Sequence, residues 1–264
     1  MKSNGGYRNC PLCSQAAGAY WPLIGIFRCP DCELLFRDIP SDKKLLDSLY
    51  SHSWESPLNH VNETGSTSLI LARQYVTSLC KSLSIKNFDG LKILDYGAGF
   101  GLMAKALSEF GAEVVAVEPF GYRYIANLGI QVYRALDDIP QEKEVFDGVV
   151  SLEVVEHLQE PLENLKTINS LLKPGGWLYI STPNSQSLNA RLRRDHWREA
   201  LKVSHIALYN QKSLSKLLLL AGFKVKRLRW WIKYQDSIVI RIKDYLLQRF
   251  LLDGDLKLLA FLDR

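Results

Sequence analysis

Two groups of residues in this chain have types and spacings that can do chemistry. The first is Cys10-Pro11-Leu12-Cys13 with Cys29-Pro30-Asp31-Cys32, two C-x-x-C pairs separated by fifteen residues. Each pair can set two thiolates on one tight turn, and two such turns complete a tetrahedral zinc site. Four thiolates leave no open coordination position, so this zinc folds a segment too small to bury its own core and does not catalyse. A disulfide framework is the rival reading, without an export signal to support it. A redox pair needs no matched second copy. Cys80, the fifth cysteine, reads as a small buried apolar residue.

The second group is acidic and surrounds a glycine turn, Asp95-Tyr96-Gly97-Ala98-Gly99-Phe100-Gly101. Alternate glycines let the backbone turn sharply and approach a ligand, and the helix that follows presents free N–H groups and the positive end of its dipole. A dinucleotide fingerprint would need glycine at 102, where this chain has Leu102. Asp95 before the turn repels a pyrophosphate and attracts an ammonium or a sulfonium-bearing amino acid. Glu118 ends an apolar run about twenty residues after the glycines, where Rossmann-like folds place a carboxylate on ribose hydroxyls. Further on, Glu153, Glu156 and His157 form E-x-x-E-H, and His205 lies beyond them. Two carboxylates and two imidazoles can hold a divalent ion such as Mg²⁺ or Mn²⁺ against a pair of substrate oxygens. Alternatively His157, titrating near working pH, serves as a general base or only as a structural hydrogen-bonding group.

These groups need elements to position them. Leu91 to Tyr96, Glu113 to Val117, Ile130 to Tyr133, Val145 to Leu152 and Trp177 to Thr182 read as strands, with a helix opening at Leu102. Strand–helix alternation predicts an α/β fold: a mainly parallel Rossmann-like sheet with helices on both faces, binding its ligand beyond the strands' carboxyl ends. Phe27 and Leu34-Leu35-Phe36 are expected to form strand edges of a zinc ribbon over 1–40. A helical connector or lid is expected over 41–88, with apolar spacing from Leu69 to Leu83, and the ligand-binding domain over 89–242. Residues 223–225 and 237–241 are expected to pair, and 243–264 to form a basic amphipathic helix.

The order Asp95-x-Gly97-x-Gly99-x-Gly101, Glu118, Glu156-His157-Leu158 and Leu172-Lys173-Pro174-Gly175-Gly176 resembles the landmarks of class I S-adenosylmethionine (SAM) dependent methyltransferases over residues 89–225. That resemblance implies SAM bound by Asp95, Gly97, Gly99, Gly101, Glu118 and Glu153, with Asp137 near the adenine. The E-x-x-E-H run is similar to that of ubiquinone-biosynthesis O-methyltransferases and of enzymes methylating small-RNA 3′ ends. This implies Glu153, Glu156, His157 and His205 as metal ligands and methylation on oxygen. With its cysteine pairs the chain also resembles zinc-ribbon methyltransferases of surface-polysaccharide or natural-product pathways, which implies a small-molecule acceptor such as a sugar or polysaccharide precursor.

With 47% hydrophobic and 23% charged residues the composition is that of a globular protein. Met1 to Gly6 lacks the apolar core of a secretory signal, so a cytoplasmic location is expected. The formal net charge is +5, and residues 222–264, with ten Lys/Arg against five Asp/Glu, account for all of it. Such a tail can meet nucleic acid, anionic lipid or a nucleotide-activated substrate, or form a solvated face. No aromatic RNA-binding motif favours nucleic acid, which leaves RNA methylation and a non-catalytic binding module as the alternatives. Trp230-Trp231 and 245–252 suit a peripheral membrane or homodimer contact. Arg191, Arg193, Arg194 and Arg198 suit either an anionic ligand or a solvated helix face.

Overall fold

The computed structural model of the protein describes residues 8–37, 58–140, 145–227 and 253–262. Residues 41–57 of the expected connector or lid, the strand at 237–241, Trp230-Trp231 and residues 243–252 lie outside the described residues. The chain opens with four short strands, β1 (Arg8–Asn9), β2 (Ala16–Trp21), β3 (Ile26–Arg28) and β4 (Leu35–Arg37), joined in antiparallel order. Helix α1 (Leu58–Leu83) follows. Of its predicted apolar stripe, Ala72, Val76 and Leu79 are buried, whereas Ile70 is exposed.

The main domain then alternates strand and helix through β5 (Lys92–Tyr96), α2 (Leu102–Glu109), β6 (Glu113–Val117), α3 (Tyr122–Asn127), β7 (Gln131–Tyr133), β8 (Phe146–Leu152), α4 (Pro161–Leu171) and β9 (Leu172–Pro183). Next come α5 (Leu188–Arg193), α6 (Arg198–Leu201), β10 (Ala207–Leu208), α7 (Gln211–Leu220), β11 (Phe223–Arg227) and β12 (Asp255–Leu262). The large sheet runs in the order β11-β12-β9-β8-β5-β6-β7. Strands β5 to β9 are mutually parallel, and β12 lies antiparallel between β9 and β11. Val114 to Val117 are all buried, as expected of a parallel strand covered on both faces. The chain leaves β5 toward β6 and β7 and returns to its other side at β8, so the switch point lies between β5 and β8.

The C-terminal segment corrects one expectation. Residues 255–262 form strand, not helix, and β12 pairs with β11. Leu256, Leu258, Ala260 and Leu262 are buried at a period of two, the spacing of one strand face. Mixed apolar and basic residues hid that period, because an inserted strand takes its hydrogen bonds from segments distant in sequence.

The cysteine-bearing strands are part of the main core. β4 pairs antiparallel with β10, extending the small sheet into the larger unit. Cys10, Cys29, Cys32, Leu34 and Phe36 share one apolar cluster with Tyr209, Leu214 and Leu217. The Arg37 guanidinium locks the junction, donating to the carbonyls of Ile24 at 2.6 Å, His205 at 3.2 Å and Ala200. No helix among the described residues is long and apolar enough to cross a membrane.

Candidate active site

The glycine turn is built as its sequence requires. Gly97, Gly99 and Gly101 have φ of 75°, 58° and 78°, a region that residues with a Cβ rarely adopt. The Gly97 N–H donates to the Val117 carbonyl at 2.8 Å, tying the end of β5 to the end of β6. A Cβ at Gly97 would meet a Val154 methyl at 2.3 Å, whereas one at Gly99 would meet nothing within 4 Å. The turn therefore has a packed side, against the residue after Glu153, and an open side.

Glu118 is buried and braces the turn. One carboxylate oxygen accepts from the Gly99 N–H at 2.9 Å, and the other from Phe120 and Gly121 at 3.0 and 3.2 Å. Three backbone donors orient this acid at the sheet's carboxyl edge, a positioning that its sequence location alone did not reveal. Asp95 is buried with one oxygen unpartnered, and burial pushes its carboxyl up to about 7, with Glu118 adding to the rise and the Ala104 N–H opposing it. Asp137 is exposed in the short turn Leu136–Asp138 after β7, and neighbouring Asp138 caps that turn through the Ala135 N–H at 3.0 Å.

The second acidic group sits past β8. Glu153 holds φ of 56°, and its N–H donates to the Ser181 carbonyl at 3.0 Å while the Ser181 hydroxyl donates to its carboxylate at 3.2 Å. A non-glycine residue in that region is strained, a feature that clusters at functional sites. Its outer edge is open to solvent, yet the cleft wall and nearby Asp255 push its carboxyl up to about 7. Glu156 is fully buried; Thr182 donates to one oxygen at 2.8 Å and the other accepts no hydrogen bond among the described residues. Burial and the Glu153 charge raise its carboxyl well above the usual range.

His157 places Nδ1 2.9 Å from the Ser204 carbonyl, which puts its proton there and its lone pair on Nε2, 4.0 Å from Glu156. The His205 ring packs edge-on against His157 at 4.7 Å between centroids, and its buried Nδ1, 3.7 Å from the Glu199 carboxylate, makes no hydrogen bond among the described residues. Burial holds both imidazoles below their usual range, His205 at about 3, where they are neutral and able to ligate. Glu156, His157 and His205 thus present one ligand atom each within a 4.8 Å span; Glu153 stands beside them, turned to Ser181. Ser181, Thr182, Ser204 and Asp255 were missed in the sequence, where short polar residues at strand ends carry no pattern.

The four cysteines converge as two tight turns should place them. Sγ–Sγ separations of 3.5, 3.4 and 3.7 Å link Cys10–Cys32, Cys13–Cys29 and Cys13–Cys32. A tetrahedral zinc with bonds of about 2.3 Å would set its sulfurs roughly 3.8 Å apart, so the cage fits that ion.

Sheet order, glycine turn and paired carboxylates together define the fold of a class I SAM-dependent methyltransferase. The chain belongs to the methyltransferase domain family, whose model matches residues 70–228. It is similar to the ubiquinone biosynthesis O-methyltransferase of Dinoroseobacter shibae, 36% identical over 124 residues that make up 43% of this chain and 50% of that protein. A counterpart in Cereibacter sphaeroides is 37% identical over 106 residues, 37% of this chain and 43% of the relative. The chain thus spans about half the length of the curated relatives it matches. Among solved structures, the 1,6-didemethyltoxoflavin-N1-methyltransferase of Burkholderia thailandensis, with S-adenosylhomocysteine (SAH) bound, superposes with a TM-score of 0.55 at 15% identity, over 90% of this chain and 99% of that one. A SAM-dependent methyltransferase from Mesorhizobium loti gives 0.52 at 17% identity, over 70% and 97%. At such identities the likeness speaks for the fold alone.

An ammonium group held by Asp95 would give donor binding a pH dependence. A protonated carboxyl cannot hold an ammonium group, so SAH affinity should rise with pH through the range set by a carboxyl titrating near 7. Titration calorimetry should find binding roughly thirtyfold weaker at pH 5.5 than at pH 8. Asp95→Asn should bind weakly and flatten the profile.

Proposed function

We propose that this chain methylates an oxygen of a small molecule carrying neighbouring oxygens, using SAM as donor. The observation that carries this reading is the Val154 side chain packed on Gly97, which sets the Glu153-to-His157 run directly against the donor loop. Asp95 would hold the donor's ammonium group, Glu118 its ribose hydroxyls and Asp137 its adenine edge, with Glu153 facing the reacting end. Bound there, SAM supplies a methyl carbon already activated by positive sulfur. The protein's share of the work is alignment and removal of the acceptor's proton.

Asp95, Glu153, Glu156 and Asp255 are all held above their ordinary range, mainly by burial, and a cation bound beside them would draw them back toward their charged forms. Glu156, His157 and His205 would hold a divalent ion, and the Glu156 oxygen that accepts no hydrogen bond among the described residues fits that role. One carboxylate and two imidazoles suit Mn²⁺ better than Mg²⁺, which prefers oxygen ligands. When bound, the ion supplies a positive charge that makes a neighbouring acceptor hydroxyl easier to deprotonate. His157 Nε2 would otherwise take that proton itself. Sugars and catechol-like acceptors both present adjacent oxygens, and the work is assigned to the cytoplasm.

Transfer of labelled methyl from SAM to a panel of catechol and sugar-nucleotide acceptors tests the reading. O-methylated product is expected, with His157→Ala lowering kcat by roughly two to four orders of magnitude. Glu156→Gln should remove the dependence on added Mn²⁺. Turnover indifferent to divalent ions in protein that keeps its cysteine-bound zinc would exclude the metal role. Methyl transfer to nitrogen or carbon alone would overturn O-methylation.

A further inference from the structure

A cavity of about 370 Å³, sharing no residue with the site above, lies between the cysteine-bearing sheet and helix α5. Its walls include Tyr20, Trp21, Arg28, Glu33, Arg191 and Arg194. The one acid, Glu33, is already engaged: Gln186 donates to it at 2.8 Å, with Asn210 at 3.4 Å and Arg28 and Lys212 at 3.5 Å. The guanidinium of Arg191 is oriented by a bond from Nε to the Gln186 carbonyl at 3.0 Å. Arg194 has no side-chain hydrogen bond or ion pair among the described residues, and its backbone is strained at φ 52° and ψ −121°. Tyr20 is 42% exposed, and the Arg28 guanidinium lies 5.5 Å from its ring centre.

The cavity therefore offers an excess of guanidinium donors and an aromatic wall. Guanidinium forks match phosphate oxygens, and an exposed tyrosine ring stacks on a planar ring. Its volume is that of a small-molecule site rather than a polymer track. We propose that this cavity binds a small ring-bearing phosphate compound of the nucleoside diphosphate class, with Arg191 and Arg194 on the phosphates and Tyr20 against the ring. The proposal does not depend on the methyl-transfer reading.

Calorimetry on the full chain with uridine diphosphate, pyrophosphate, uridine and a short single-stranded RNA tests it, with SAH titrated in parallel. Uridine diphosphate should bind best, followed by pyrophosphate and then uridine. Arg191→Gln and Arg194→Gln should each weaken uridine diphosphate roughly tenfold, the worth of a charge-assisted hydrogen bond, and leave SAH binding unchanged. Tyr20→Ala should weaken uridine diphosphate and spare pyrophosphate. Silence from uridine diphosphate at millimolar concentration, or binding indifferent to both arginines, would overturn the proposal. So would salt-sensitive RNA binding through these arginines with the small phosphates silent.

Discussion

Gly97→Ala is expected to weaken SAH binding by at least a hundredfold and to lower stability by about 2–4 kcal/mol, the sum of a Cβ at positive φ and overpacking. The new methyl would fall 2.3 Å from Val154, a β-branched side chain with little rotameric freedom to retreat. Val154 is flanked by Glu153, itself held at φ 56°, and precedes Glu156 and His157, so its displacement disturbs both halves of the site. Gly99→Val is the informative companion. Its side chain would enter open space, so it should abolish SAH binding while costing only the strain of positive φ, about 1–3 kcal/mol. Thermal denaturation beside titration calorimetry separates the two. Gly99→Val binding SAH as the parent does would show that the open side of the turn is not where the donor lies.

Removal of one cysteine ligand should have the next largest effect. Cys29→Ser is expected to leave the purified protein without zinc and to lower Tm by on the order of 10 °C, since a structural zinc contributes folding energy directly. The whole protein should melt in one step, because Cys10, Cys29 and Cys32 pack in the same cluster as Tyr209, Leu214 and Leu217, and β4 completes its hydrogen bonds on β10. Calorimetric melting with metal analysis checks this. A separate early transition with the main transition unmoved would mean that the cysteine-bearing strands fold on their own.

The donor side of this architecture was largely legible in the sequence for physical reasons. Strands β5, β6 and β8 are buried on both faces and so stand as continuous apolar runs, and the glycines sit where positive φ is needed. The cysteine pairs were legible because ligand spacing is a local property. Long-range pairing was not. β12 takes its partners from Trp177–Pro183 and Phe223–Arg227, and no local period announces that insertion. Asp255, which raises the Glu153 carboxyl, was hidden by the same misreading. Arg37 reads as an ordinary surface cation until the carbonyls of Ala200 and His205, more than 160 residues on, close around it. The E-x-x-E-H run identified Glu156 and His157, but the hydrogen bonds that aim them come from Thr182 and Ser204.

The central claim is that a carboxylate-braced turn holds a SAM-like donor. Titration of the intact chain with SAH, for the parent and for Glu118→Ala, tests it most directly. One binding site per chain is expected in the parent. Its affinity should fall about a hundredfold in Glu118→Ala, which loses the brace on Gly99 together with the charge-assisted hydrogen bonds proposed for it to ribose. No heat from the parent, or undiminished binding by Glu118→Ala, would contradict the account.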